Sequence, residues 1–195
     1  MKRLIFMRHG FLAGKYSNYA NLSFEDFEEL LLKEVSPHID KNKSLGKLNK
    51  LSFIYEVDLI CCSSNTKRSK DTAVLVKQLK NVEIIQTPLL NEISFVKGVI
   101  SRKDTVNFFS LREKILTSIY NSEYAESLEN IKRRLYEFFR MVRNLEADTI
   151  LCITHAWLMR FISLYKQKKL DNLSLEDLLN VKPANFLEEI VVEIT

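Results

Sequence analysis

The sequence predicts an α/β fold: a three-layer α/β/α sandwich around a mostly parallel central sheet, with a helical insertion. Three observations predict it. Short apolar runs of strand length alternate with amphipathic stretches of helix length along almost the whole chain. Three of the apolar runs end in polar residues able to do chemistry, at the positions where parallel sheets place ligands. The 195 residues are 46% hydrophobic and 28% charged, enough to bury a sizeable core and too few for two full domains. A single domain spanning 1–195 is therefore expected.

The elements follow in order. Residues 4–7 form an apolar run that stops at Arg8-His9-Gly10, a buried strand followed by a loop. Ser23 opens a helical pattern with Asp26 three residues on, a capping-box variant. Phe24, Phe27, Leu30 and Leu31 make its apolar side. Leu45, Leu48, Leu51 and Tyr55 suggest a second helix. Residues 57–62 are strand-like and end in Ser63-Ser64, and a helix is predicted over 66–79. Residues 82–85 read as another strand.

Residues 97–122 have helical stretches without a clean period and are read as a lid or helical insertion. Leu128, Ile131, Leu135, Phe138, Val142 and Leu145 recur at steps of three and four, the strongest amphipathic pattern in the chain. Residues 149–154 form a strand ending at His155, and 156–165 resume a helical pattern. Ser174, with Asp177 three on, begins a short helix, and 186–194 is a closing strand.

Composition excludes several classes. The 29 basic against 25 acidic residues leave +4, too small an excess to argue for nucleic acid. Four glycines and three prolines exclude collagen-like and linker-rich architectures. Cys61, Cys62 and Cys152 have neither the number nor the spacing of a disulfide framework or zinc site, and read as buried thiols. The first apolar run is too short for a signal peptide, and no stretch approaches the length of a membrane span. A cytoplasmic protein with no membrane partner is expected.

The strand-end residues make a chemically coherent set. A phosphoryl dianion needs fixed positive charge around its non-bridging oxygens, which the planar fork of arginine supplies. A neutral imidazole can attack phosphorus if its other nitrogen is held as a donor. A second imidazole can stabilise the transferring group, and a carboxylic acid must protonate the leaving alkoxide. Arg8, His9, Arg68 and His155 lie at predicted strand ends, and Glu92 follows another.

These residues resemble a known family. Arg8-His9-Gly10 is similar to the signature of the histidine phosphatase superfamily, the phosphoglycerate-mutase-like proteins. Ser64, Arg68 and Thr72-Ala73 resemble its second motif. Leu90-Asn91-Glu92 resembles the place where the branch with a mid-chain acid keeps its proton donor. Glu126-Ser127 with Arg133 or Arg134, and Ile153-Thr154-His155, resemble further segments in the same order. The resemblance implies His9 as nucleophile, with Arg8, Arg68 and His155 on the phosphoryl oxygens. It implies Glu92 as general acid and then base, no metal and no cofactor.

The departures fall in the recognition shell. Phe11 and Leu12 stand where an acidic or amide residue and then Ser or Thr are usual, and Lys15 replaces an Asn. Lys15 and the displaced Asn18 are candidate substrate contacts. Arg133 and Arg160 are expected as surface or ion-pair residues, Trp157 as wall or core, and Phe108, Phe109, Phe138 and Phe139 as core.

The expected function is a metal-independent phosphatase acting on a phosphomonoester through phosphohistidine. The alternatives are a phosphoglycerate-type phosphomutase and a non-catalytic phosphate-binding interaction module. A small phosphorylated substrate is the expected partner, with a phosphoprotein as the other candidate. The substrate and the oligomeric state are open at this point.

Overall fold

The computed structural model describes residues 1–18, 22–101 and 108–195, apart from the side chains of 108–110. Part of the predicted insertion, and the side chains of Phe108 and Phe109, therefore lie outside the described residues.

The strands are β1 (Lys2–Arg8), β2 (Leu59–Ser63), β3 (Glu83–Thr87), β4 (Thr149–Thr154) and β5 (Glu189–Ile194). Their order in the sheet is β3-β2-β4-β1-β5. All pairs are parallel except β5, which runs antiparallel to β1 at the edge. The helices are α1 (Phe24–Leu31), α2 (Lys41–Leu48), α3 (Lys67–Leu79) and α4 (Phe108–Asn121), then α5 (Leu128–Arg143), α6 (Ala156–Lys166) and α7 (Leu175–Asn180).

Strand alternation sorts the core into two layers. Leu4 and Phe6 of β1 join Cys152 of β4 against Ile131, Leu135 and Phe138 of α5. Ile5 and Met7 point the other way, with Cys62, Ile153 and the α3 residues Ala73 and Val76. The predicted sandwich is the observed fold. Phe6 meets Phe138 and Phe139 edge-on, with ring centroids 5.8 and 6.1 Å apart. The amphipathic pattern of α5 ends at its capped start, where the Ser127 hydroxyl accepts from the Asn130 N–H.

Two boundaries differ from the sequence reading. The second helix starts earlier, because the Asp40 carboxylate caps α2 by accepting from the Lys43 N–H, and it stops at Leu48. Leu51 and Tyr55 belong instead to a turn and to the separate 3-10 helix Ser52–Glu56. The closing strand begins only at Glu189. Before it, Asn185 and Glu188 close a turn with Leu187 in the left-handed region at φ 57°, which lifts Phe186 off the sheet.

The three cysteines are buried and free. Burial pushes the Cys61 thiol up to about 12 and the Cys62 thiol up to about 11, so neither is a thiolate nucleophile. Among the described residues, no helix is long and apolar enough to cross a membrane.

Candidate active site

The parallel strands β1, β4 and β2 are neighbours, and their carboxyl ends open into one crevice. The β1–β4 ladder continues one residue past β1, because the His9 N–H donates to the Thr154 carbonyl at 3.0 Å. This fixes the His9 backbone. The chain then passes tightly under α2. A Cβ on Gly10 would lie 2.5 Å from Ser44 Oγ, so only glycine fits there. The Gly10 N–H donates to Thr72 Oγ1 at 2.9 Å, which ties the first motif to the second.

The His9 tautomer follows from its partners. Arg68 Nε can only donate, and it lies 3.1 Å from His9 Nε2. Nε2 therefore holds the lone pair, and Nδ1 carries the proton, donated to the Gly10 carbonyl at 2.9 Å. Burial first, then Arg68 and Arg8, hold His9 well below 6.5, so the imidazole is neutral. Arg8 lies 4.0 Å over the Phe186 ring, and its NH1 donates to the Ala184 carbonyl at 2.7 Å.

His155 ends β4 and stands at the N-cap of α6, with its ring 5.2 Å from that of His9. Its Nε2 is 3.0 Å from Thr66 Oγ1, while its Nδ1 is buried with no hydrogen-bond partner among the described residues. Burial, with Arg68 next, also holds it well below 6.5.

His155 does not cap its own helix; Glu92 does. The Glu92 carboxylate accepts from the N–H groups of Leu158 at 3.0 Å and Trp157 at 3.2 Å, and from its own neighbour Ile93 at 3.1 Å. An anion at a helix N-terminus is favourable there. Among the described residues Oε2 receives only the Trp157 N–H, which leaves a lone pair for a proton. The preceding loop is held from both sides. Asn91 Oδ1 accepts from the Ser64 and Asn65 N–H groups at 3.0 and 3.2 Å. Arg134 pairs with both oxygens of Glu126 and donates to the Leu89 and Asn91 carbonyls.

Arg8, His9, Arg68 and Glu92 line one cavity of about 150 Å³. Phe27 and Leu30 of α1, Ile115 of α4 and Trp157 of α6 supply much of its apolar wall. Helix α1 and the insertion thus both shape it. His155 packs beside His9 and does not itself line the cavity. Among the described residues, no group of three or more His, Cys, Asp or Glu is placed to hold a metal ion.

A family model described as "Histidine phosphatase superfamily (branch 1)" matches residues 48–183. The chain belongs to the histidine phosphatase superfamily. The matched segment contains Arg68, Glu92 and His155 and begins after the Arg8-His9-Gly10 motif, which the fold brings to the same crevice. Solved structures share the fold of this chain over nearly its full length. "Mycobacterial hydrolase 1" is 13% identical with a TM-score of 0.69, covering 98% of this chain and 88% of that one. A mycobacterial glucosyl-3-phosphoglycerate phosphatase is 16% identical with a TM-score of 0.62, covering 99% and 90%. The alpha-ribazole phosphatase of Shigella flexneri is 17% identical with a TM-score of 0.57, covering 99% and 91%. None of the curated proteins matches the sequence.

The cavity also holds residues that the sequence reading did not place there. Lys15 lies in the 3-10 helix Gly14–Ser17, exposed and ion-paired with Asp26, and neither it nor Asn18 lines the cavity. Lys33, Arg112 and Arg160 do line it. Arg160, expected as a surface or ion-pair residue, is buried. Its position five after His155 on a helix was the available signal; no local pattern marks Lys33, whose φ of 63° bends the chain back over the site. The Lys33 ammonium donates to the Glu92 carbonyl at 2.8 Å and to Ser94 Oγ at 3.1 Å.

Proposed function

We propose that the chain is a phosphatase that hydrolyses a phosphomonoester through a phosphohistidine formed on His9. One observation carries this reading: the neutral His9 ring has its Nδ1 proton on the Gly10 carbonyl and its Nε2 lone pair toward Arg68 in the cavity. When substrate binds, Arg68 moves its donors from Nε2 to the phosphoryl oxygens, joined by Arg8. Nε2 attacks phosphorus, the P–N bond forms and the P–O bond to the leaving group breaks. Glu92 gives its proton to the departing alkoxide. Glu92 then takes a proton from water, which attacks the phosphohistidine, breaks the P–N bond and releases inorganic phosphate. His155, whose ring lies 5.2 Å from that of His9 and outside the cavity lining, positions the His9 ring. The arginines compensate the charge that builds on the phosphoryl group, so the reaction needs no metal.

The site supports turnover better than simple binding. A phosphate-binding module has no need of a carboxylate fixed across the cavity from the anion pocket. The test is hydrolysis of p-nitrophenyl phosphate by wild type and His9→Ala with a chelator present. Turnover by wild type alone is expected; equal turnover by both removes His9 as the nucleophile.

A further inference from the structure

Arg112 of α4 and Arg160 of α6 line the wall of the cavity, and the mechanism above does not use them. Each spends one terminal nitrogen near the end of α7. Arg160 NH1 donates to the Val181 carbonyl, and Arg112 NH2 donates to the Leu179 and Val181 carbonyls. Helix closure accounts for those nitrogens and for nothing more. The Nε of both arginines is buried with no hydrogen-bond partner among the described residues. Arg160 is only 3% exposed, with its guanidinium 5.3 Å from the Trp157 ring. A buried orphan N–H on a cation is costly, and an acceptor entering the cavity would relieve that cost.

The charge of the wall leads to the same place. Arg8, Lys33, Arg68, Arg112 and Arg160 face Glu92, the one carboxylate among the described lining residues. Burial first, and then the Arg112 charge, pull Arg160 down to about 10. A single phosphate dianion against Arg8 and Arg68 leaves the rest of this wall positive. Apolar groups, including Phe95 and Leu111, line the same space, so bulk water is a poor substitute for an anion there.

We infer that Arg112 and Arg160 form a second anion subsite, and that the substrate is a small phosphomonoester with a second anionic group. That group is a carboxylate or another phosphate. The cavity of about 150 Å³ holds a short-chain compound. This deepens the phosphatase reading and rests on it for the first anion.

The test compares glycerol 3-phosphate with 3-phosphoglycerate and glycerol 1,3-bisphosphate, which replace its far hydroxymethyl end by a carboxylate or a phosphate. Phosphate release is measured on wild type, and binding to His9→Ala is measured by calorimetry. At least one two-anion compound is preferred by about tenfold or more in both readouts, a ratio expected from one or two charge-assisted hydrogen bonds. Which compound is preferred separates carboxylate from phosphate. In Arg112→Gln, or in Arg160→Lys if the first variant does not fold, the preference shrinks to within about threefold. Glycerol 3-phosphate performing as well as both others overturns the subsite, as does a preference that persists unchanged in the folded variants. Calorimetric preference without turnover keeps the subsite and removes the phosphatase reading; turnover without preference does the reverse.

Discussion

Arg68 Nε donates to His9 Nε2 at 3.1 Å, so the lone pair proposed to attack phosphorus faces the arginine proposed to bind the phosphoryl group. In the proposed mechanism Arg68 thus also keeps His9 neutral and aimed. Arg68→Lys keeps the charge and loses both the fork and the Nε donor. Its kcat/KM on p-nitrophenyl phosphate should fall by about a hundredfold or more, the scale for removal of a preorganised donor from developing charge. Steady-state kinetics on the two proteins check this; a change within a few fold removes Arg68 from the phosphoryl site.

The pH profile follows from the imidazoles. His9 is held well below 6.5 by burial, Arg68 and Arg8, and only its neutral form attacks. The neutral form persists as pH falls through 6.5, so the acid limb of kcat/KM that belongs to His9 lies well below that value. A profile corrected for the substrate's own titration checks it. An enzyme limb near 6.5 contradicts the depressed His9.

Stability carries the same sign. His9 and His155 are both depressed in the folded protein, so the unfolded chain binds more protons below 6.5. Their contribution is fully present above 6.5 and is lost as pH falls through the window between 6.5 and the folded values. Each costs about 1.4 kcal/mol per pH unit inside that window. Urea unfolding at pH 7.5 and 5.5 should show a larger loss for wild type than for His155→Gln, which cannot take up a proton.

In the proposed mechanism Glu92 has two tasks, and the leaving-group dependence of kcat/KM isolates the first. Glu92→Gln removes the proton and disturbs the cap on the Trp157 and Leu158 N–H groups. On an alkyl phosphate, whose leaving alkoxide needs a proton, the loss should reach about 10²–10⁴-fold. On p-nitrophenyl phosphate, whose leaving group departs unaided, it should be much smaller. The lost cap should cost about 0.5–2 kcal/mol in thermal or urea unfolding. Equal losses of kcat/KM, which reports only the steps up to phosphohistidine formation, on both substrates argue against proton donation.

The core supports the site from behind. Phe138 is fully buried against Phe6, the strand that ends in Arg8. Phe138→Ala should destabilise by about 3–5 kcal/mol in urea unfolding, with little change in KM for the protein that remains folded.

The sequence made the strand ends legible, because a run such as 149–154 that stops at His155 carries its own boundary. Arg8, His9, Arg68, His155 and Glu92 follow from such ends and from motif order. Lys33, Arg112 and Phe186 do not. Lys33 reaches the site through a left-handed residue after α1, and Phe186 through the turn closed by Asn185 and Glu188. Both depend on backbone turns that hydrophobic periodicity does not encode. Arg160 read as a surface or ion-pair residue because buried cations are rare, whereas its NH1 donates to the Val181 carbonyl just past α7, which packs on α6. Lys15 stood near the first motif in sequence, but its ion pair with Asp26 holds it away from the cavity.

The most direct test is to quench wild type and His9→Ala at neutral pH within one turnover of p-nitrophenyl phosphate, then map phosphorylation by mass spectrometry. The account predicts an acid-labile phosphoryl group on His9 in wild type and none in the variant. Turnover by wild type with the phosphoryl group on another residue, or undiminished turnover by His9→Ala, contradicts it.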